Sequence, residues 1–360
     1  MAEPAAPSTG PSDFERGLDK ADASVASFEE DRPGPMQIAR GFLHAYPIAI
    51  PAFVLVVSVL IFGIAASPRF LSLGNLSLIV QQVTVTGIVA IAQTMIILTA
   101  GIDLSVGAIM VLSSIVMGKL AVHSGLPPLL AIAVGIAAGA LMGWVNGQLV
   151  TRMRLPPFIV TLGTLNIFSA LKLWYSGSES IRASDVEKIA PELIWFGESV
   201  DVFGARVTYG GMALVLVAFL AWYMLARTAW GRYVHAIGDD PDAAMLAGIQ
   251  TNRTLVSVYV LAGAVCGFAA WVMIGRVGSV TPLAGETANL DSITAVVIGG
   301  TSLFGGRGSI VGSVLGALIV GVFRNGLSLA GVDVLWQDFT VGILIILAVA
   351  IDQWLRRATS

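Results

Sequence analysis

Few side chains in this 360-residue chain can do chemistry, and most of those stand inside apolar runs. Asp103, in the sequence AGIDLS, is the acid nearest the interior of a hydrophobic stretch. An ionisable group there is costly and has a reason. Either Asp103 or Ser105 accepts amide hydrogens at the start of a helix, or Asp103 stands as a polar group at the mouth of a pathway. Gln82, Thr86 and Gln93 fall roughly on one side of a helical run, and Asn146, Thr161 and Asn325 add amide and hydroxyl groups to later ones. Such groups either line a conduit for a hydroxyl-bearing solute or bond between helices and cap them; the spacing leaves both open. These seven, Asp103 included, are the candidate pathway or gate residues.

The most informative polar stretch is 231–253, GRYVHAIGDDPDAAMLAGIQTNR. Asp239 or Asp240 can cap a short helix, and Pro241 suits its first turn. The run 242–249 then presents Ala243, Ala244, Ala247 and Gly248 as small residues. A short helix with such a face fits a groove on a partner; the plain alternative is an ordinary interfacial loop helix.

Other chemistries find no support. One cysteine, Cys266, allows no internal disulfide, and three scattered histidines make no Cys/His metal site. The chain has four lysines, none in a phosphate-binding G-x-x-x-x-G-K pattern, and it lacks HExxH and GxSxG. It is expected to need no cofactor or metal and not to bind or hydrolyse ATP itself. A net charge of −3 without a basic block argues against nucleic acid.

The elements that must hold these groups are membrane helices. Hydrophobic residues make up 56 % and charged residues 12 % of the chain, against roughly 25 % charged in soluble domains. Charge-free runs of about twenty residues are long enough to cross a hydrocarbon core. The fold class is all-α and polytopic, with about ten spans: 47–66, 76–98, 104–122, 126–150, 156–175, 209–226, 254–274, a short one at 291–303, 309–329 and 335–354. Residues 1–46 read as a disordered cytoplasmic tail with an amphipathic piece at 36–46, and as no signal peptide, so the first span is an uncleaved anchor. The transmembrane domain is 47–360. Ten spans put both termini on one side, with Arg152, Arg154, Arg227, Arg232, Arg253, Arg307, Arg356 and Arg357, which assigns that side to the cytoplasm. Arg276 and Arg324 fall nearer the other side. The loop 176–208, with six acids against three bases, faces outward, and 227–253 faces inward.

A shift of 179 residues aligns Asn146-Gly147 with Asn325-Gly326, Thr161 with Thr340, and Gly163 with Gly342. Five spans separate the partners, an odd number, so the copies point in opposite directions, as in an inverted-topology transporter; chance alignment of apolar sequence is the alternative. Asp291 at the start of the eighth span is a candidate counterpart of Asp103. Glycines recur every fourth residue at Gly135, Gly139, Gly143 and Gly147, and again at Gly308, Gly312 and Gly316. Each set reads as a helix face for close packing in lipid, and GGTSLFGGRG (299–308) as a tight re-entry between buried helices.

Four stretches resemble the permeases of ribose/xylose/fructose-type sugar ABC importers: 231–253, LTAGIDLSVGAIMVLSS (98–114), NGQLVTRMRLPPFIVTLGTL (146–165) and AVVIGGTSLFGGRGSIVGSVLGALIVGVFRNG (295–326). Together they span nearly all of 76–355 in the expected order. The resemblance implies a homodimeric pore in the inner membrane, ATP-binding subunits or a fused pair in the cytoplasm, and a soluble sugar-binding protein outside. It places Gly238, Asp239, Asp242, Ala243, Ala244 and Gly248 in the loop that feels the ATPase. Family members commonly carry Asn and Glu before the paired alanines; this chain has Asp239-Asp240-Pro241-Asp242, which bears on the helix register. The implied activity is import of a monosaccharide by alternating access. The competing class is an ion-coupled secondary sugar transporter, which would need a buried acid such as Asp103.

Overall fold

The computed structural model describes residues 48–357 apart from Ser67, Phe203 and Glu286. The expected tail, 1–46, and its amphipathic piece lie outside the described residues.

Ten helices make up the membrane domain. They are α1 (Ala49–Ala65), α2 (Leu73–Ile97), α3 (Val106–Gly118, extended by a π turn over Lys119–His123), α4 (Pro128–Arg152) and α5 (Pro157–Ser176). Between α5 and the next span lie α6 (Ala183–Ile189), a 3-10 turn and the hairpin β1 (Ser199–Val202) and β2 (Ala205–Thr208). Then come the span α7 (Tyr209–Arg227), the short helices α8 (Ala229–Asp239) and α9 (Pro241–Leu246), and the spans α10 (Thr251–Val277), α11 (Ala288–Ile298), α12 (Ile310–Leu329) and α13 (Val334–Arg357). Seven are long and apolar enough to cross a membrane; α1, α11 and the apolar part of α13 are shorter. Local chemistry sets the ends. Pro128 and Pro157 open α4 and α5 at positions whose amide has no helical partner. Ser72, Thr208, Thr228 and Ser309 cap through their side chains.

The expected inverted repeat organises the bundle. Helices α2 to α5 begin at residues 73, 106, 128 and 157, and α10 to α13 begin at 251, 288, 310 and 334, so one shift near 179 relates all four pairs. The packing follows the same swap. Helix α2 lies on α12 as α10 lies on α4, α2 on α11 as α10 on α3, and α3 on α5 as α11 on α13. The α2–α10 contact joins the copies. Helix α2 is buried on nearly all sides from Val83 to Ile97, with Thr84, Gln93 and Thr94 among the buried residues, which fits a central position.

Helix α4 crosses α10 in direct backbone contact. A Cβ at Gly139 would strike the carbonyl oxygen of Gly263, and one at Gly263 would strike that of Gly139. A Cβ at Gly143 would strike the Tyr259 carbonyl, and one at Gly267 would come within 2.8 Å of the Ile136 Cα. Gly135 completes the ridge against Met117 of α3. In lipid, where burying apolar surface adds nothing, this contact of backbones supplies the attraction. The ridge is used within one chain.

The second glycine set differs from expectation. Gly312 and Gly316 lie on α12, against the backbone at Gly299 and Ala295, but Gly308 stands outside the helix, beside Thr301. The reason is the cap: Ser309 Oγ accepts the Gly312 amide at 2.9 Å, so α12 starts one residue after Ser309. The eighth span likewise ends at Ile298, not Leu303, because three glycines with φ of +71° to +87° (Gly300, Gly305, Gly306) bend the chain away.

The expected outer loop is an ordered cap. The Trp271 indole donates to Glu192 O at 3.0 Å, Phe196 packs edge-on to Trp271 with centroids 4.5 Å apart, and Ile181 pairs with Val280 as an isolated bridge. Short apolar runs among many charges gave no periodic signal for these elements.

Gly139→Leu or Gly263→Leu should be among the most damaging changes in the bundle, because the obstacle is backbone; overpacking costs roughly 1–3 kcal/mol or more. Gly163, whose Cβ would meet nothing within 4 Å, should accept alanine with no loss. Thermal unfolding of the purified chain in mild detergent separates the two; equal midpoints would refute the role given to the crossing.

Candidate functional site

Between α2 and α3 the chain is unwound, and Asp103 sits in that segment, 1 % exposed. Backbone N–H and C=O groups without helical partners at this depth must be satisfied by protein. Side chains do it here. Gln93 of α2, with its amide turned to suit both groups, donates to Asp103 O at 3.1 Å and accepts from Asp103 N at 3.3 Å. Thr161 Oγ1 of α5 donates to Ile102 O at 3.0 Å and accepts from Leu104 N at 3.2 Å. Asn289 Nδ2 of α11 donates to Leu104 O at 3.3 Å.

The Asp103 carboxylate is engaged as well. Its Oδ1 accepts from the Ser105 amide and the Ser105 hydroxyl, each at 2.6 Å, and its Oδ2 accepts from Asn146 Nδ2 at 3.3 Å. Asn146 Nδ2 also donates to Ser105 Oγ at 2.8 Å. Asp103 does not cap α3, whose N-cap residue Ser105 makes no side-chain cap bond; its carboxylate closes a turn on Ser105, the residue that precedes the helix. Charge-assisted bonds of this kind are the strong ones, and they tie α4 to the unwound segment.

The expected pathway residues therefore divide. Gln93, Asp103, Asn146 and Thr161 form one network drawn from α2, the unwound segment, α4 and α5. Gln82 and Thr86 lie outside it, half-buried; Arg276 donates to Gln82 O at 3.1 Å. Asn325 pairs with Asn75 of α2 through two amide bonds of 2.9 and 3.1 Å. Asp291 is no structural twin of Asp103: it lies within α11 and pairs with Arg324 at 3.0 Å, which also reaches Asp338 at 3.3 Å. Those ion pairs account for Arg324, one of the two arginines outside the main cluster.

The 231–253 segment forms two helices. Asp240 is the cap of α9: its Oδ1 accepts the amides of Asp242 at 2.9 Å and Ala243 at 3.0 Å, with Pro241 in the first turn. Gly238 ends α8 against the chain core. A Cβ there would strike Leu98 O and lie 2.6 Å from Gly306 N. Gly306 N donates to Leu98 O at 3.0 Å, and His235 Nδ1 meets Gly306 O at 2.9 Å. Helix α8 is thus clamped to the first residue after α2, where the unwound segment begins, and to the loop between α11 and α12. Asp239, Asp242, Ala243 and Gly248 are exposed, while Ala244 turns inward at 4 %. The outward face of α9 carries Met245 and Leu246, the latter 88 % exposed.

Sequence reasoning missed three features. Asn289 gave no signal beyond being an amide beside a short span. Met245 and Leu246 read as apolar filler of a helix. Lys172, buried in α5, lines a cavity of about 300 Å³ with Ser169, Asn289, Gly107 and Gly285; a lone ionisable residue in a span was the available clue.

Ten apolar helices, eight of them in two inverted copies, with a polar break at depth and helices clamped to its end, define a membrane transport permease. The family model of the branched-chain amino acid transport system permease component (BPD_transp_2) matches residues 75–349, and the chain belongs to that family. It is a transport subunit and not an enzyme. It is 53 % identical to the fructose import permease FrcC of Rhizobium meliloti over 97 % of each chain. To the ribose import permease RbsC of Bacillus subtilis it is 39 % identical, over 84 % of this chain and 90 % of the relative. To the D-allose transport system permease AlsC of Escherichia coli K12 it is 36 % identical, over 85 % and 91 %. No solved structure matches.

Thr161→Val keeps the shape and removes both bonds, leaving Ile102 O and Leu104 N unpaired, each at a cost of about 1–3 kcal/mol. Its unfolding midpoint should fall well below that of Thr161→Ser, which keeps the hydroxyl. Matching midpoints would show that the unwound segment does not depend on Thr161.

Proposed function

We propose that the chain is the membrane-spanning permease subunit of an ATP-driven importer that carries a monosaccharide, a pentose or hexose such as ribose, xylose or fructose. It works as a homodimer in the cell inner membrane with both termini cytoplasmic. The arginines at the ends of α4 and α7, at the start of α10 and in the α11–α12 loop support that orientation. A soluble sugar-binding protein docks on the outer cap, 176–208, and delivers the sugar. ATP-binding subunits dock on the cytoplasmic face at α9. The names of the relatives, import permeases for fructose, ribose and allose, support the substrate class.

One observation carries the mechanism: the clamp of Gly238 on Leu98 and Gly306. A displacement of α9 by the ATPase passes through α8 to Leu98, and from there into the unwound segment around Asp103. That segment is bonded to α2, α4, α5 and α11, which belong to both copies of the repeat. Packed interfaces switch between discrete arrangements and do not deform continuously, so a shift at Leu98 re-sorts these bonds and rocks the copies. The pathway needs no tight sugar site, because the binding protein supplies selectivity.

The docking contact is Met245 and Leu246 with Asp242 and Ala243 beside them. Met245→Glu with Leu246→Glu should weaken copurification of the ATP-binding subunit by roughly thirty-fold or more while leaving the unfolding midpoint of the chain unchanged. Ala244→Glu, aimed inward, should lower that midpoint. If the ATPase stays with the double variant, α9 is not the dock. If uptake into ATP-loaded vesicles stops when an ionophore collapses the ion gradients, the transport is ion-coupled and the reading fails.

A further inference from the structure

At the cytoplasmic ends of α4 and α10 lies an open pocket of about 490 Å³ lined by Gln148, Thr151, Arg152, Arg154, Asn252 and Arg253, with Val256 behind. Three arginines line it and no acid does. Among the described residues Arg152 and Arg154 make no hydrogen bond or ion pair, and Arg253 reaches only the Gln250 side chain, at 2.8 Å. Arg152 alone would be explained by the α4 C-terminus, whose carbonyls favour a cation. Arg253 has the opposite setting. It stands in the first turn of α10, a 27-residue helix whose N-terminus has no side-chain cap and no acid in its first turn. A helix N-terminus is positive and presents free amides, so adding Arg253 there is unfavourable unless an anion is present. Arg154 is also held at φ +53°, a conformation non-glycine residues seldom adopt without a constraint.

We infer that this pocket binds the phosphate headgroup of an anionic phospholipid. Guanidinium forks match phosphate oxygens bidentately, and the Asn252 and Arg253 amides, without a backbone partner in the first turn of α10, add donors to the same anion. The phosphate chemistry would also serve a free phosphate. The lipid is favoured by what flanks the arginines: Met153, Leu155, Phe158 and Ile159 are exposed apolar side chains on the next residues of the chain. They offer a surface to acyl chains that a free ion has no use for, and basic pockets between spans at the cytoplasmic surface are where such headgroups lodge. A bound lipid would bridge α4 and α10, one helix from each copy of the repeat, below their glycine crossing. The inference holds whichever sugar is carried.

The test uses the full chain in a nonionic detergent, with lipid binding read by native mass spectrometry and unfolding midpoint. The titrants are dioleoylphosphatidylglycerol, dioleoylphosphatidylcholine and inorganic phosphate. The expected result is preferential retention of phosphatidylglycerol, with an affinity that drops by roughly ten- to a hundred-fold in Arg152→Gln/Arg154→Gln/Arg253→Gln and no change for phosphatidylcholine. If the triple variant does not fold, Arg154→Gln alone, at an exposed position, should lose roughly three- to five-fold. An undiminished preference for phosphatidylglycerol in the folded variant overturns the assignment. Inorganic phosphate that displaces the lipid and stabilises the chain equally well makes the ligand a free phosphate and overturns the lipid source. A variant that keeps the lipid preference but no longer retains the ATP-binding subunit makes the pocket a protein interface, which also overturns it.

Discussion

A backbone that leaves the helix inside a membrane must find partners for every amide and carbonyl it frees, since lipid offers none. The five residues between Leu98 and Leu104, with their neighbours, meet that demand by borrowing. Gln93 takes both backbone groups of Asp103, Thr161 bridges Ile102 and Leu104, Asn289 takes the Leu104 carbonyl, and Gly306 uses the Leu98 carbonyl. Each lender sits on a different element. The segment can therefore keep its conformation only while α2, α5, α11 and the α11–α12 loop keep theirs, and it registers a shift in any of them. The same requirement that makes the break expensive makes it a joint.

Close glycine packing makes such a joint usable. The α4–α10 crossing brings backbone against backbone at Gly139, Gly143, Gly263 and Gly267, a contact with little side-chain freedom to absorb movement. Rigid contacts transmit displacement as bodies, and interiors packed to this density switch between arrangements. Asn146 projects from α4 two turns beyond Gly139 to reach Asp103 and Ser105. The rigid crossing and the polar joint are thus parts of one helix, and neither can shift unnoticed by the other.

The bundle was legible in the sequence because apolar length and glycine period survive in any context. Span ends at residues 47–66, 126–150 and 209–226 were expected, and the helices run Ala49–Ala65, Pro128–Arg152 and Tyr209–Arg227. The Asn-Gly pair and the aligned threonines pointed to the repeat that the helix starts and their packing display. Asp103 stood out because charge is rare in such a run, and Gln93, Asn146 and Thr161 because polar side chains are. What the sequence could not reveal was adjacency. Nothing in the spacing separates Gln93, which joins the network, from Thr86, two turns earlier, which does not. Nor does it distinguish Ala244, turned inward, from Leu246, turned out, since a six-residue helix is too short for periodicity to declare its face.

The repeat is a symmetry of shape that the site chemistry does not follow. Asn146 and Asn325 occupy matched places, yet one holds a buried carboxylate and the other an amide of α2. Thr161 satisfies two foreign backbone groups, whereas Thr340 bonds Trp336 O in its own helix. Inverted copies must share packing, because the same helices meet in the same pairs, but they face opposite sides of the membrane. The first copy carries its break at the end where α8 presses on Leu98 and Gly306. The second carries Asp291, Arg324 and Asp338 as an ion-paired group towards the other end. Packing therefore holds the helices of the two copies to one pattern, while the polar side chains between them are fixed by local partners and diverge.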